Sequence, residues 1–175
     1  MVDIIPSANP FDEKSFNDFI SKYQLTFPTE YLKYLKKYND AELADNIVNT
    51  SDESISIRYF YGTTTEDYSN ISSVYEIFID RMPPNCIPIA EAEGGNEVCI
   101  SLAPESYGKI YFWNHETMDT DYGEICTLSL EKMLYLADSF DSLLDKIIPY
   151  TTEFNYTQKN GIFGIFRKIK KLFFI

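Results

Sequence analysis

Three glutamates and an asparagine crowd two adjacent glycines in the stretch "AEAEGGNEVCISL", Ala90 to Leu102. Side chains of those types can ligate a metal, share a proton, or line a tight turn. Metal ligation by Glu91, Glu93, Asn96 and Glu97 calls for the alternating oxygens of a calcium loop. The nearer match is "ETMDTDYGE", where Asp119, Asp121 and Glu124 surround Gly123, but its spacing departs from the fixed motif. Phosphate cradling calls for glycines that open a helix. "EGGNE" has no GxGxxG spacing, and its flanking glutamates repel phosphate. Nucleophilic catalysis needs a base beside the nucleophile, and His115 is the only histidine. No GxSxG elbow or QAC-type cysteine context accompanies it, so it reads as a strand-end histidine bonded to a neighbour. Paired carboxylates for glycoside hydrolysis are defined by a spatial separation that the sequence does not carry. No set of acid, base and nucleophile assembles, and the chain reads as non-catalytic, with no metal and no cofactor expected.

The elements that must position these residues belong to a globular chain. Its 175 residues are 45% hydrophobic and 16% aromatic, with 14 Tyr and 13 Phe, a composition that can bury a core and is unlike that of disordered chains. Charge is uneven. Residues 1–158 hold ten bases against 27 acids, a formal −17, whereas residues 159–175 hold five bases and no acid. An acidic body of this kind repels nucleic acid, whose binding rests on phosphate neutralisation, and draws basic protein surfaces. Direct nucleic-acid binding is not expected. Cys86, Cys99 and Cys126 are odd in number and form no CxxC pair, which argues against a disulfide framework or a zinc site. The opening "MVDIIPSANPFDEKSF" lacks a basic n-region and an apolar h-region, so the expectation is no secretory signal and a cytoplasmic location.

Along the chain, Phe16, Phe19, Ile20 and Tyr23 recur at helical spacing after Pro10. In "TFPTEYLKYLKKYND" Pro28 suits a first helical position, Glu30 the first turn, and Lys36 and Lys37 the last, with Asn39 closing the helix in a left-handed conformation. Leu43–Glu53 has little pattern and reads as a loop. "ISIRYFYG" alternates Ile55, Ile57, Tyr59 and Tyr61 against Ser56, Arg58 and Phe60, a strand. "SNISSVYEIFIDRMPP" returns to helical period, with Ser73 and Glu76 as a capping box and Pro83–Pro84 as the stop. Short alternating runs then follow, "CIPIAE", "EVCISLA" and "KIYFWNHE", joined by glycine-containing turns as an antiparallel meander. A further strand is expected around Ile125–Leu128, and Leu130–Ala137 suits strand or helix. Phe140, Leu143, Leu144, Ile147 and Ile148 mark a last helix that runs to Pro149. Strands in one block with helices at the ends make an α+β fold with a central antiparallel sheet. Residues 1–150 read as one domain and residues 151–175 as a linker and tail.

In the tail "NGIFGIFRKIKKLFFI", 100° steps put Ile162, Ile165, Phe166, Ile169, Leu172 and Phe173 on one face and Arg167, Lys168, Lys170 and Lys171 on the other. The apolar stretch is too short to span a bilayer. Phe166 and the four bases are therefore candidates for contact with an anionic membrane surface, with the acidic body, or with a second copy.

Three segments together resemble the SUKH superfamily, Smi/Knr branch. "FPTEYLKYLKKYND" is similar to its Leu-Pro-x-x-Tyr…Leu…Tyr-Asn-Gly signature, "IPIAEAEGGNEVCISL…GKIYFWNHE" to the block that follows, and "LADSFDSLLDKI" to its final helix. The resemblance spans about residues 11–148, with Phe27 in place of the usual Leu and Asp40 in place of the usual Gly. It implies a compact binding module without catalytic residues. Bacterial members act as immunity proteins that bind a cognate toxin, often a nuclease or deaminase, and fungal relatives are implicated in cell-wall regulation. On that reading the partner contacts come from the strand ends and turns of the meander: Glu91, Glu93, Asn96, Glu97, Trp113, His115, Glu116, Asp119 and Asp121. Trp113 suits a core position equally well. The alternative is a scaffold or regulatory adaptor that uses its tail for membrane contact or self-association.

Overall fold

The computed structural model describes residues 2–44, 46–51, 53–115 and 129–149. In chain order these residues form β1 (Ile4–Ile5), α1 (Glu13–Tyr23), α2 (Thr29–Tyr38), β2 (Glu42–Leu43), β3 (Ile47–Asn49), β4 (Ser54–Phe60), α3 (Ile71–Phe78), β5 (Cys86–Ala92), β6 (Asn96–Ser101), β7 (Ile110–Trp113), β8 (Leu134–Ala137), α4 (Phe140–Lys146) and β9 (Ile147–Ile148). The strands pair in the order β1-β2-β4-β5-β6-β7-β8, with β3 bridging β4 and β9. Each strand pairing is antiparallel. This is the expected α+β class.

Short polar side chains start the helices. Asp12 accepts from the backbone N–H groups of Lys14 and Ser15 to open α1, and Ser139 accepts from Ser142 N to open α4. Each satisfies donors that have no partner within the helix. Pro28 lies one residue outside its expected place, as the cap of α2 with φ −58°. The cap of α3 is Asn70, which accepts from Ser72 N and Ser73 N, rather than the expected Ser73. The supposed capping box therefore falls inside the helix, and its Glu76 reaches across to Lys22 and Tyr23 of α1.

Asn39 closes α2 with the positive φ expected, 54°, but with ψ −130° it lies outside the left-handed helical basin, and its buried amide then ties three segments together. Its Oδ1 accepts from Thr63 N at 2.8 Å and its Nδ2 donates to the carbonyls of Thr63 and Asn9. Gly62 makes room for this knot. A Cβ there would stand 2.4 Å from Asp40 N and 2.5 Å from Asn39 Oδ1.

Two expectations are corrected beside β4. Leu43–Glu53 is not simply a loop, because Ile47 and Val48 are buried and pair with Ser56 and Ile55. The last helix stops at Lys146 rather than running to Pro149, and Ile147 and Ile148 pair instead with Val48 and Ile47. A cross-strand partner thus takes residues whose spacing also suited a helix. Leu130–Ala137 resolves into a 3-10 turn followed by β8. The strand expected at Ile125–Leu128 lies outside the described residues, as does the tail.

The sheet separates two clusters by the alternation of its strands. Val98, Ile100, Ile110 and Phe112 face the larger core with Phe16 and Phe19 of α1, Tyr31 and Leu35 of α2, and Phe140 and Leu143 of α4. Phe140 is the hub, with ring centroids of Tyr31, Tyr34 and Phe60 at 5.0, 4.7 and 5.5 Å. Cys99 and Trp113 face a smaller cluster with Met82, Cys86 and Met133.

Candidate functional site

At one end of the sheet the turn Glu93–Gly95 joins β5 to β6. Gly94 and Gly95 hold φ of 80° and 76°, left-handed values that a Cβ resists, so the glycines make the bend as the sequence implied. The two strands then place Glu91 opposite Glu97. On the outer sides Glu91 pairs with Tyr59 and Glu97 with Trp113. Tyr59, Glu91, Glu97 and Trp113 therefore stand in one row across four strands, on the same face of the sheet.

A bulge in β4 brings the tyrosine into that row. Ile57 pairs with Ala92 and Phe60 with Ala90, both on the core side, while Tyr59 pairs with Glu91 on the other, and the register shifts between Ile57 and Tyr59. The expected alternation of Ile55, Ile57, Tyr59 and Tyr61 on one face is thus broken at Arg58. An extra residue in a strand turns the side chains that follow it, so Phe60 enters the core while Tyr59 and Tyr61 join the acids.

The two glutamates meet different surroundings. Glu91 accepts hydrogen bonds from Arg58 Nη1 and from the Tyr59 hydroxyl. Its side chain is 18% exposed while that of Arg58 is 59% exposed, so the guanidinium is solvated and the pair adds little stability. Glu97 is 3% exposed and accepts the Tyr61 hydroxyl at 2.7 Å. Burial raises its pKa from 4.5 to about 8; the Tyr61 hydrogen bond opposes that shift and the negative charge of Glu91 adds to it. Glu97 therefore holds its proton at neutral pH. Tyr61 and Tyr59 are likewise pushed above the ordinary tyrosine range, chiefly by burial.

Glu97 does not belong to the acidic rim expected of the turn, because the loop ends at Gly95 and Glu97 is already a paired strand residue beneath Tyr61. Trp113 is a core residue, 1% exposed. Phe78 packs edge-on at 5.2 Å and the Arg81 guanidinium lies 5.3 Å from the indole centroid. Glu93 opens the turn and Asn96 begins β6 just after it, where Asn96 Nδ2 donates to the Glu93 carbonyl. Asn96 Oδ1 accepts the His115 backbone N–H at 3.1 Å and lies 2.9 Å from His115 Nδ1. An amide oxygen only accepts, so Nδ1 carries the hydrogen and Nε2 is the ring's acceptor. His115 is thus the strand-end histidine its setting implied. Glu116, Asp119 and Asp121 lie outside the described residues, as do Phe166, Arg167, Lys168, Lys170 and Lys171 of the tail.

Sequence reasoning missed Arg58, Tyr59, Tyr61 and Tyr68. Tyr68 is 64% exposed with its ring 6.2 Å from that of Tyr59, which extends the row toward solvent. The signal was present in the run of tyrosines that ends β4, but without the bulge it pointed to the wrong face. Among the described residues, no group of three or more His, Cys, Asp and Glu side chains is placed to hold a metal, and no helix is long and apolar enough to cross a membrane. The row offers carboxylate and hydroxyl acceptors, aromatic edges and one solvated guanidinium.

The pattern that defines the SMI1 / KNR4 family (SUKH-1) matches residues 10–146. The chain belongs to this family. It is also 28% identical over 138 residues to the SPbeta prophage-derived uncharacterized protein YokK of Bacillus subtilis (strain 168), a match that covers 76% of this chain and 65% of that relative. The row lies within the family match, which extends from the approach to α1 through the end of α4.

Proposed function

We propose that the chain acts by binding, as an immunity protein that neutralises a cognate toxin with a basic surface, such as a nuclease or deaminase. The observation that carries this reading is the row of acids and tyrosines at the turn end of the sheet, on a body of ten bases and 27 acids. Exposed Glu93, partly exposed Glu91 and the surrounding acidic field would steer a basic partner toward this end. Tyr68 and Tyr59 supply rigid aromatic area at its margin, the kind of surface that carries contact energy. Buried Glu97 and Trp113 support the row rather than touch the partner. Membership of the SUKH family supports a binding role, and the prophage origin of the relative suits a protein carried with mobile elements. The adaptor alternative rests on the tail, which lies outside the described residues.

The test is to express a toxin-like domain from the reading frame adjacent to this chain, alone and together with it. Restored growth and a complex on gel filtration are the expected result, with the complex weakened by Glu93→Lys and Tyr68→Ala. The absence of both rescue and a complex would overturn the proposal.

A further inference from the structure

Behind the row, the smaller cluster gathers four sulfur atoms. Cys99 Sγ lies 3.8 Å from Met82 Sδ, and Cys86 Sγ lies 3.9 Å from Met133 Sδ. Cys86 and Cys99 sit on adjacent strands two residues out of register, since Cys86 pairs with Ser101 and Pro88 with Cys99. Both cysteines belong to the same buried cluster as Met82 and Met133. All four residues are buried, at 1%, 0%, 6% and 6% exposure for Cys86, Cys99, Met82 and Met133, and both cysteines are free. We propose that Met82, Cys86, Cys99 and Met133 form a binding site for a soft monovalent cation, Cu(I).

The donor set argues for the ion. Thiolate with thioether is the combination that selects Cu(I), whereas harder divalent ions take oxygen and imidazole. The spacing is compatible with a shared centre: at a metal–thiolate distance of about 2.3 Å, tetrahedral ligands stand about 3.8 Å apart. Sulfurs in simple contact are spaced alike, so the ion itself has to be measured.

The ligands are carried by ordered backbone. Cys99 is central in β6, Cys86 N donates to the Pro83 carbonyl at 3.0 Å, and Met133 N to that of Leu130 at 3.0 Å. A side chain held this way loses little freedom on binding. Trp113 packs in the same cluster, and Arg81 over its ring supplies positive charge near the site. Access is provided by a cleft of about 700 Å³, lined by Met133, Leu130, Tyr111, Pro83 and Pro84 among others. Met133 lines the cleft and touches Cys86, so it connects solvent to the thiols.

Binding exchanges protons for metal. Two S–H bonds break, two Cu–thiolate bonds and two dative Cu–thioether bonds form, two protons leave to solvent, and the copper stays Cu(I), so no oxidant or reductant is required. Because two protons are released, affinity should increase with pH.

The experiment is anaerobic titration of the full, reduced chain with the Cu(I)–bicinchoninate complex, read by loss of the chelator's colour and by X-ray absorption at the copper edge. One Cu(I) per chain is expected to transfer, with sulfur neighbours only. Cys86→Ser and Cys99→Ser should each weaken binding at least tenfold. The isosteric Met82→Leu and Met133→Leu, which keep the packing, should each weaken it severalfold, and Cys126→Ser should leave it unchanged. No transfer from the chelator, transfer undiminished in both Cys86→Ser and Cys99→Ser, or loss confined to Cys126→Ser would each overturn the proposal.

Discussion

Replacing Glu97 by glutamine keeps the shape of the side chain and an oxygen for the Tyr61 hydroxyl, but removes the ionisable carboxyl that the fold has buried. In the unfolded chain this carboxyl releases its proton near 4.5, whereas the folded chain holds it to about 8. Between those values the folded state binds more protons than the unfolded state. Wild-type stability should therefore fall as pH rises through that window and level off outside it. Each pH unit inside the window costs about 1.4 kcal/mol, so at pH 7 the cost is about 3 kcal/mol and at pH 5 under about 1 kcal/mol. Glu97→Gln has no such slope. It should be more stable than the wild type by about 3 kcal/mol at pH 7, by less at pH 5, and by more at pH 8.

Urea unfolding at pH 5, 6, 7 and 8, followed by the fluorescence of Trp113, the single tryptophan, measures both proteins under matched conditions. Other titrating groups contribute to each curve but cancel in the difference. A difference that stays flat with pH, or a Glu97→Gln protein less stable than the wild type at pH 7, would refute the assignment of a buried neutral acid.

Gly62→Ala should destabilise the fold by about 3 kcal/mol, because the added Cβ meets backbone of residue 40 that cannot turn aside; urea midpoints measure this. Asn70→Ala, which removes the α3 cap, should cost about 1 kcal/mol by the same assay. Trp113→Ala should cost about 3–5 kcal/mol as a core truncation, so any loss of partner binding in that variant has to be judged against its thermal unfolding. Tyr68→Ala should change stability by under about 0.5 kcal/mol, since the ring is largely exposed, while lowering affinity for the toxin partner about tenfold or more by calorimetry.

The helices and the meander were legible in the sequence because their information is local. An apolar stripe at helical spacing and a capping residue lie within one segment, and Gly94–Gly95 between two alternating runs allows little besides a turn. The features that escaped depend on partners distant in the chain. Nothing in "NIVN" marks β3 as a strand until β4 pairs with it on one side and Ile147 and Ile148, from a hundred residues away, pair with it on the other. The bulge in β4 shows itself only when Ile57 and Phe60 are both seen facing the core across from Ala92 and Ala90. Glu93 and Glu97 flank the same glycines and look equivalent as letters. Their difference, one exposed on a loop and the other buried in a strand, arises from where the ladder begins. The sulfur cluster escaped for a related reason, since thioethers do not figure in the spacings by which metal sites are sought.

Several departures from ordinary folding rules meet at one end of the sheet. There a strand bulges, a glutamate is buried directly opposite another glutamate, and tyrosine hydroxyls are spent on carboxylates. Keeping a carboxyl buried there costs stability as pH rises from 4.5 to about 8, and an apolar residue at position 97 would remove that proton-linked cost altogether. Beneath the sheet alternating Val98, Ile100, Ile110 and Phe112 fill the core, while the register also shifts between Pro88 and Ala90 and between Ile110 and Tyr111. Departures that meet within a few residues and cost stability there are more economically read as answering to something beyond stability at that place. The cost at Glu97 is a sizeable share of the 5–15 kcal/mol by which domains are stable, so selection for folding alone gives no reason to keep it. A stabilised Glu97→Gln that no longer protects against the toxin would separate those two demands in a single side chain.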